Sequence, residues 1–224
     1  MTQKKKFSSE LALLIAILYN SLNLSLLVKG NFGISTLSSV PVVFSKVYTQ
    51  FTLGNWTIII QTITLIIMLL FVRKFKLGYI LSFAVALFFG YFVDMWTFFL
   101  APLPITIGFR IIYFVLGLLG TGVGAALFVQ CGLPIQPFDL FVREVSKATN
   151  TSIKKTRIIY DATSLTISLS VSLLMLNRLE AIGIGTILSV FLTGNIMHYV
   201  SEVLLSKFYF KPVSKAGEFL YNIS

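Results

Sequence analysis

The chain has 224 residues, 56% of them hydrophobic and 12% charged, with a net charge of +10 and a mean hydropathy of +0.89. A soluble domain carries about 25% charged residues, so this apolar surplus excludes a soluble globular fold and calls for a lipid bilayer as partner. The single cysteine, Cys131, and single histidine, His198, exclude an intramolecular disulfide, a thiolate cluster and a histidine-rich metal site.

The basic balance reads as loops that hold the orientation of a membrane protein, not as a nucleic-acid surface. Lys4, Lys5 and Lys6 precede an apolar run, as in a signal peptide. That run, 11–28, is uncharged and exceeds the usual ~7–15 residues of a signal's apolar region. No small-x-small cleavage pattern follows, so it reads as a retained span. About 20 apolar residues cross a bilayer. The further spans are then 51–72, 77–100 (interrupted by Asp94), 105–131, 158–176 and 181–203, with Pro102 and Pro104 separating the third from the fourth. Lys4–6, Arg73, Lys74, Lys76, Arg143, Lys147, Lys154, Lys155, Arg157, Lys207, Lys211 and Lys215 then share one side. Only Lys29, Lys46, Arg110 and Arg178 remain for the other. The asymmetry predicts six spans, both termini in the cytoplasm, and 206–224 as a cytoplasmic tail of a single membrane domain, 1–224. The expected location is a bacterial cell membrane.

Two connections, 29–50 and 132–142, are too apolar for aqueous loops. They read as broken or re-entrant segments, which membranes tolerate only when packed in protein or lining a cavity. For 139–149 an amphipathic surface helix is the alternative, with Leu140, Phe141 and Val145 down and Arg143 and Lys147 in water.

The chain also resembles itself. Shifting it by 99 residues lays Gly33 on Gly132, Thr57 on Thr156, Ile59 and Ile60 on Ile158 and Ile159, Thr64 on Thr163, and Val72 on Val171. Further on, Gly78, Ile80, Leu81 and Ser82 fall on Gly185, Ile187, Leu188 and Ser189, and Gly90 and Asp94 on Gly194 and His198. The expected fold is therefore all-α and polytopic, six transmembrane helices in two repeats, about 10–100 and about 105–205. An odd number of spans per half makes the repeats inverted. Such inverted halves build many secondary transporters around a midplane site.

Gly117, Gly120 and Gly124 form one stripe of the fourth span, for close helix packing or for solute contact. Gly132, Pro134 and Pro137 break the chain and leave carbonyls for Gln130, Gln136 or a solute. Asp139 can cap the next helix or bind. Arg157 and Asp161, four apart, can pair, yet an ionisable group inside a span keeps a functional role open for Asp161. Asp94 and His198 each follow a glycine by four residues; each either reaches headgroup water or binds a polar group. His198 is the group suited to proton coupling. Asp94, Gln130, Asp139, Asp161, Asn195 and His198 are the candidate binding residues.

The run Gly122-Val123-Gly124-Ala125-Ala126-Leu127-Phe128, followed by Gly132, Pro137 and Asp139, resembles the YczE/YyaS/YitT family of bacterial integral membrane proteins. Asp161, the segment 183–186 and Gly194 fit the same pattern, and Val40 stands where the first half would place the aspartate. The resemblance implies a multi-pass bacterial membrane protein and an asymmetric site. No P-loop, metal cluster or nucleotide fingerprint appears. Gly33-Ile34-Ser35 faintly resembles an intramembrane serine protease, but Thr36 stands where a glycine is needed. The expectation is a non-enzymatic permease for a small polar or charged solute, without cofactor. The alternatives are a substrate-binding subunit of an ATP-driven importer, or a scaffold for a partner membrane protein. A homodimer is a further possible state.

Overall fold

The computed structural model describes residues 4–215, 217, 218 and 221. The six expected spans are long helices: α1 (Ser9–Gly30), α3 (Leu53–Val72), α4 (Leu77–Leu100), α5 (Ile107–Gln130), α7 (Ile153–Leu176) and α8 (Ile184–Lys207). Each is apolar and long enough, at 1.5 Å per residue, to cross about 30 Å of hydrocarbon. The fifth and sixth run past the expected spans, starting at Ile153 and ending at Lys207, because a helix continues beyond the apolar window until its backbone meets a cap.

The two greasy connections form 12-residue helices, α2 (Thr36–Val47) and α6 (Pro137–Ala148). The element order is thus long, short, long, long, twice over. Gly33 and Gly132, which the sequence aligns, both break the chain in left-handed backbone, at φ 113° and 66°. Arg73 and Asn177, which end α3 and α7, are left-handed as well.

Packing repeats too. α1 lies along α4 as α5 lies along α8; α2 lies on α7 as α6 lies on α3. Each short helix therefore packs on the other half. α1 crosses α5 antiparallel, since Gly117 faces Leu27, Gly120 faces Asn23 and Gly124 faces Asn20. A Cβ on Gly120 would lie 2.2 Å from Asn23 Oδ1, and one on Gly124 2.4 Å from Asn20 Oδ1. Close approach of α1 is thus what the glycine stripe serves. One relation does not repeat: α3 packs along α4, but α7 does not pack along α8.

Two ion pairs pin the short helices. Lys46 near the end of α2 pairs with Glu180 in the α7–α8 link, and Lys76 before α4 pairs with Glu144 of α6 at 2.8 Å. Burial alone would raise the Glu144 carboxyl. Hydrogen bonds from Lys76 and Tyr79, with the charge of Lys147 nearby, outweigh burial and hold it at about 2, below the usual 4.5. Two short strands flanking the helices also meet: β1 (Lys5–Ser8) runs parallel to β2 (Phe208–Lys211). They therefore lie at one membrane face, as an even number of crossings requires. This strand pair was not anticipated. Of the expected 206–224 tail, residues 216, 219, 220 and 222–224 lie outside the described residues.

Two predictions follow from the packing. Gly120→Leu destabilises the solubilised protein by about 1–3 kcal/mol, read as a drop in thermal midpoint. Gly108→Leu, where a Cβ meets nothing within 4 Å, leaves the midpoint unchanged. Glu144→Gln lowers the midpoint at pH 7. Because the native carboxyl is depressed, its stabilisation is present above 4.5 and lost as pH falls toward 2. The gap to wild type closes over that window; a gap constant in pH refutes the pairing.

Candidate functional site

The apolar core is not continuous. One buried cluster holds Ile34, Val42, Val43, Leu53, Val85 and Phe89; a second holds Leu65, Met68, Tyr79, Leu140 and Val145. Along α3, Thr57, Gln61 and Thr64 lie between them, and along α4, Ser82 does. A polar layer thus crosses the interior of the helix bundle.

α7 supplies most of it. Thr156, Tyr160, Ser164, Ser168 and Ser172 recur every four residues, with Arg157 and Asp161 each one position further on, along the side of α7 that meets α2 and α6. Arg157 Nη1 donates to Asp139 Oδ1 at 2.7 Å, and its Nε to Asp161 Oδ2 at 3.3 Å. Asp161 Oδ1 accepts from Thr36 Oγ1 at 2.8 Å. Ser39 Oγ meets Ser168 Oγ at 2.7 Å, and Thr64 Oγ1 meets Tyr160 Oη at 3.3 Å.

The first residue of α2 and the first turn of α6 therefore converge on one arginine. Neither helix is capped by the side chain at its N-cap, Ser35 or Gln136. Their unpaired N–H groups carry partial positive charge. Each such end has a carboxylate: Asp139 in the first turn of α6, and Asp161 through Thr36 at the start of α2. The capping role open to Asp139 is not the one it takes; its carboxylate goes to Arg157. The side chains of Asp139, Arg157 and Asp161 are 43%, 39% and 30% exposed, so the cluster is reachable from outside the protein. Gln61 is fully buried on α3, and among the described residues neither carboxamide atom has a hydrogen-bond partner.

The other candidates lie apart. Gln130 closes α5 and, among the described residues, makes no hydrogen bond to this cluster. Asp94 holds the start of α3, accepting from Gly54 N at 2.7 Å and Thr52 Oγ1 at 2.5 Å. Among the described residues, Asn195 bonds its own helix, at Phe191 O, and His198 lies exposed near Glu202 at 3.5 Å. Pro134 lies in the break before α6 and Pro137 begins that helix, where its missing N–H costs nothing. Cys131 is a buried free cysteine at the end of α5. Sequence reasoning missed Thr36, Gln61 and the centrality of Arg157. The serine spacing along α7 was the available signal for a polar inward face.

Six spanning helices, two broken segments and a charged cluster within the bundle define a multi-pass α-helical membrane protein. The chain belongs to a family of unknown function (DUF6198), whose model matches residues 7–202. It is 30% identical over 197 residues to the uncharacterized protein YyaS of Bacillus subtilis (strain 168), covering 85% of this chain and 90% of that protein. It is also 30% identical over 149 residues to the uncharacterized membrane protein YczE of the same organism, covering 66% and 64%. No solved structure matches.

Arg157→Met strands two carboxylates and costs about 1–3 kcal/mol, measured by thermal or denaturant unfolding. Asp161→Asn in the same chain recovers part of the loss, because the uncompensated charge is removed. Additive losses would show that the two do not interact.

Proposed function

We propose that the protein is a secondary transporter of a small polar or charged solute in a bacterial cell membrane. It works by alternating access between two inverted halves, with both termini in the cytoplasm. The observation that carries this reading is the meeting of two broken-helix N-termini, one from each half, at the Asp139–Arg157–Asp161 cluster. Backbone breaks of this kind, with charged partners inside a bilayer, are how transporters hold solutes.

The inverted relation is supported by the antiparallel crossing of α1 and α5, the first helices of each half, and by the matched left-handed glycines. The orientation is supported by the lysines and arginines at the face where β1 and β2 meet. Solute reaches the cluster from its exposed side. Arg157 and the helix ends engage negative groups, and Asp139 and Asp161 engage positive ones. Gln61 offers both a donor and an acceptor.

The test is uptake by purified protein in liposomes across a panel of amino acids, dicarboxylates, polyamines and monovalent cations, with thermal stabilisation as a second readout. One class is taken up saturably, and Asp161→Asn lowers that uptake about tenfold or more. Neither uptake nor stabilisation by any member, together with unaffected cells carrying Asp161→Asn and Asp94→Asn, overturns transport.

A further inference from the structure

The halves share a plan but not a state. On α4, Gly90 and Asp94 form a seat for the start of α3. A Cβ on Gly54 would lie 2.2 Å from Gly90 O, and one on Gly90 2.4 Å from Ile58 Cγ1. Asp94 then accepts from the Gly54 amide and the Thr52 hydroxyl. On α8 the matching residues are Gly194 and His198, one helix turn apart as in α4. Among the described residues, nothing lies within 4 Å of the position a Cβ on Gly194 would take. The His198 side chain is 76% exposed, and its neighbour Glu202 belongs to the same helix. Asn195, beside them, is exposed too. Polar and charged side chains bare on a membrane helix are costly unless something covers them.

The counterpart of α3 is α7, and its start suits the empty seat. Ser152 caps α7 as Thr52 caps α3, each accepting from the N–H three residues on. Lys154 and Lys155 in its first turn are exposed, with no ion pair among the described residues, and Glu202 is a carboxylate of opposite sign. The α7–α8 link, 177–183, holds the two helices together at their other ends.

We propose that α7 closes onto Gly194 and His198 in the alternate conformation, taking on α8 the seat that α3 holds on α4, while α3 leaves α4. This rests on the transport reading, whose inverted halves exchange conformations. The structure is then one of two states: shut between α3 and α4, and parted between α7 and α8.

The experiment places spin labels on exposed positions in liposomes and measures distances. Phe51→Cys with Phe98→Cys reports α3–α4, and Ile153→Cys with Tyr199→Cys reports α7–α8; all four sites are exposed. Cys131 is buried, and the unsubstituted parent serves as the labelling control. Gly90→Leu wedges α3 from α4. It raises the population of a short α7–α8 distance about tenfold while the α3–α4 distance lengthens. Gly194→Leu abolishes the short distance. Where Gly90→Leu does not fold, Asp94→Asn loosens the same seat.

An α7–α8 distance indifferent to all three substitutions overturns the proposal. So does a short distance between singly labelled chains, which would make a second copy the occupant. Solute uptake with uncoupled distances removes the motion and leaves transport standing. Coupled distances in a protein that carries no member of the panel support the motion and count against transport alone.

Discussion

Hydrocarbon offers no hydrogen bonds, so every interruption of a membrane helix must be satisfied from within the protein. The chain is interrupted at Gly33 and Gly132, and much of the interior answers those two breaks. At the first, Arg110 donates to the Gly30 and Asn31 carbonyls at 2.9 and 3.1 Å and lies over the Phe32 ring. Ile34 N donates to Ala181 O, and Gly185 N to Phe32 O. The broken segment of one half is thus completed by the link and helix start of the other. The halves cannot be separated without exposing backbone to lipid.

The same dependence explains the ion pairs. Lys46–Glu180 and Lys76–Glu144 occupy matching places in the two halves with the signs exchanged. A half-buried pair needs complementarity, not a particular residue on a particular side. Each pair ties the end of a short helix to the link between the last two helices of the opposite half. The short helices are therefore shared elements, and any relative motion of the halves carries them along.

The spanning helices were legible in the sequence because length and hydropathy decide insertion almost alone. The breaks were legible because glycine and proline punctuate an otherwise uninterrupted apolar pattern. Asp139 and Asp161 stood out as ionisable groups where charge is scarce. Their meeting through Arg157 did not, since it depends on α6 packing beside α7, and that is set by tertiary contacts 18 residues apart in sequence. Thr36 and Gln61 were hidden for a different reason: single hydroxyls and amides are unremarkable in any helix until their burial is known. Asp94 and His198, which the self-alignment pairs, differ in use, because one has a helix seated on it and the other does not.

The electrostatics of the central cluster bear directly on the transport reading proposed for it. Two carboxylates and one guanidinium leave a net charge of −1 on side chains. Two helix N-termini supply about +0.5 each. The cluster is therefore close to neutral as it stands, which lowers the cost of holding it in a poor dielectric. On the proposed transport reading, a charged solute does not simply add to such a site; it displaces a member. An anion competes with Asp139 or Asp161 for Arg157 and the helix ends, and a cation competes with Arg157 for the carboxylates. Either exchange loosens α6 or α2 from α7, because the contacts given up are the ones joining those helices. One set of hydrogen bonds joins α2, α6 and α7 at this cluster, so on the transport reading proposed above, solute binding and helix rearrangement are coupled there.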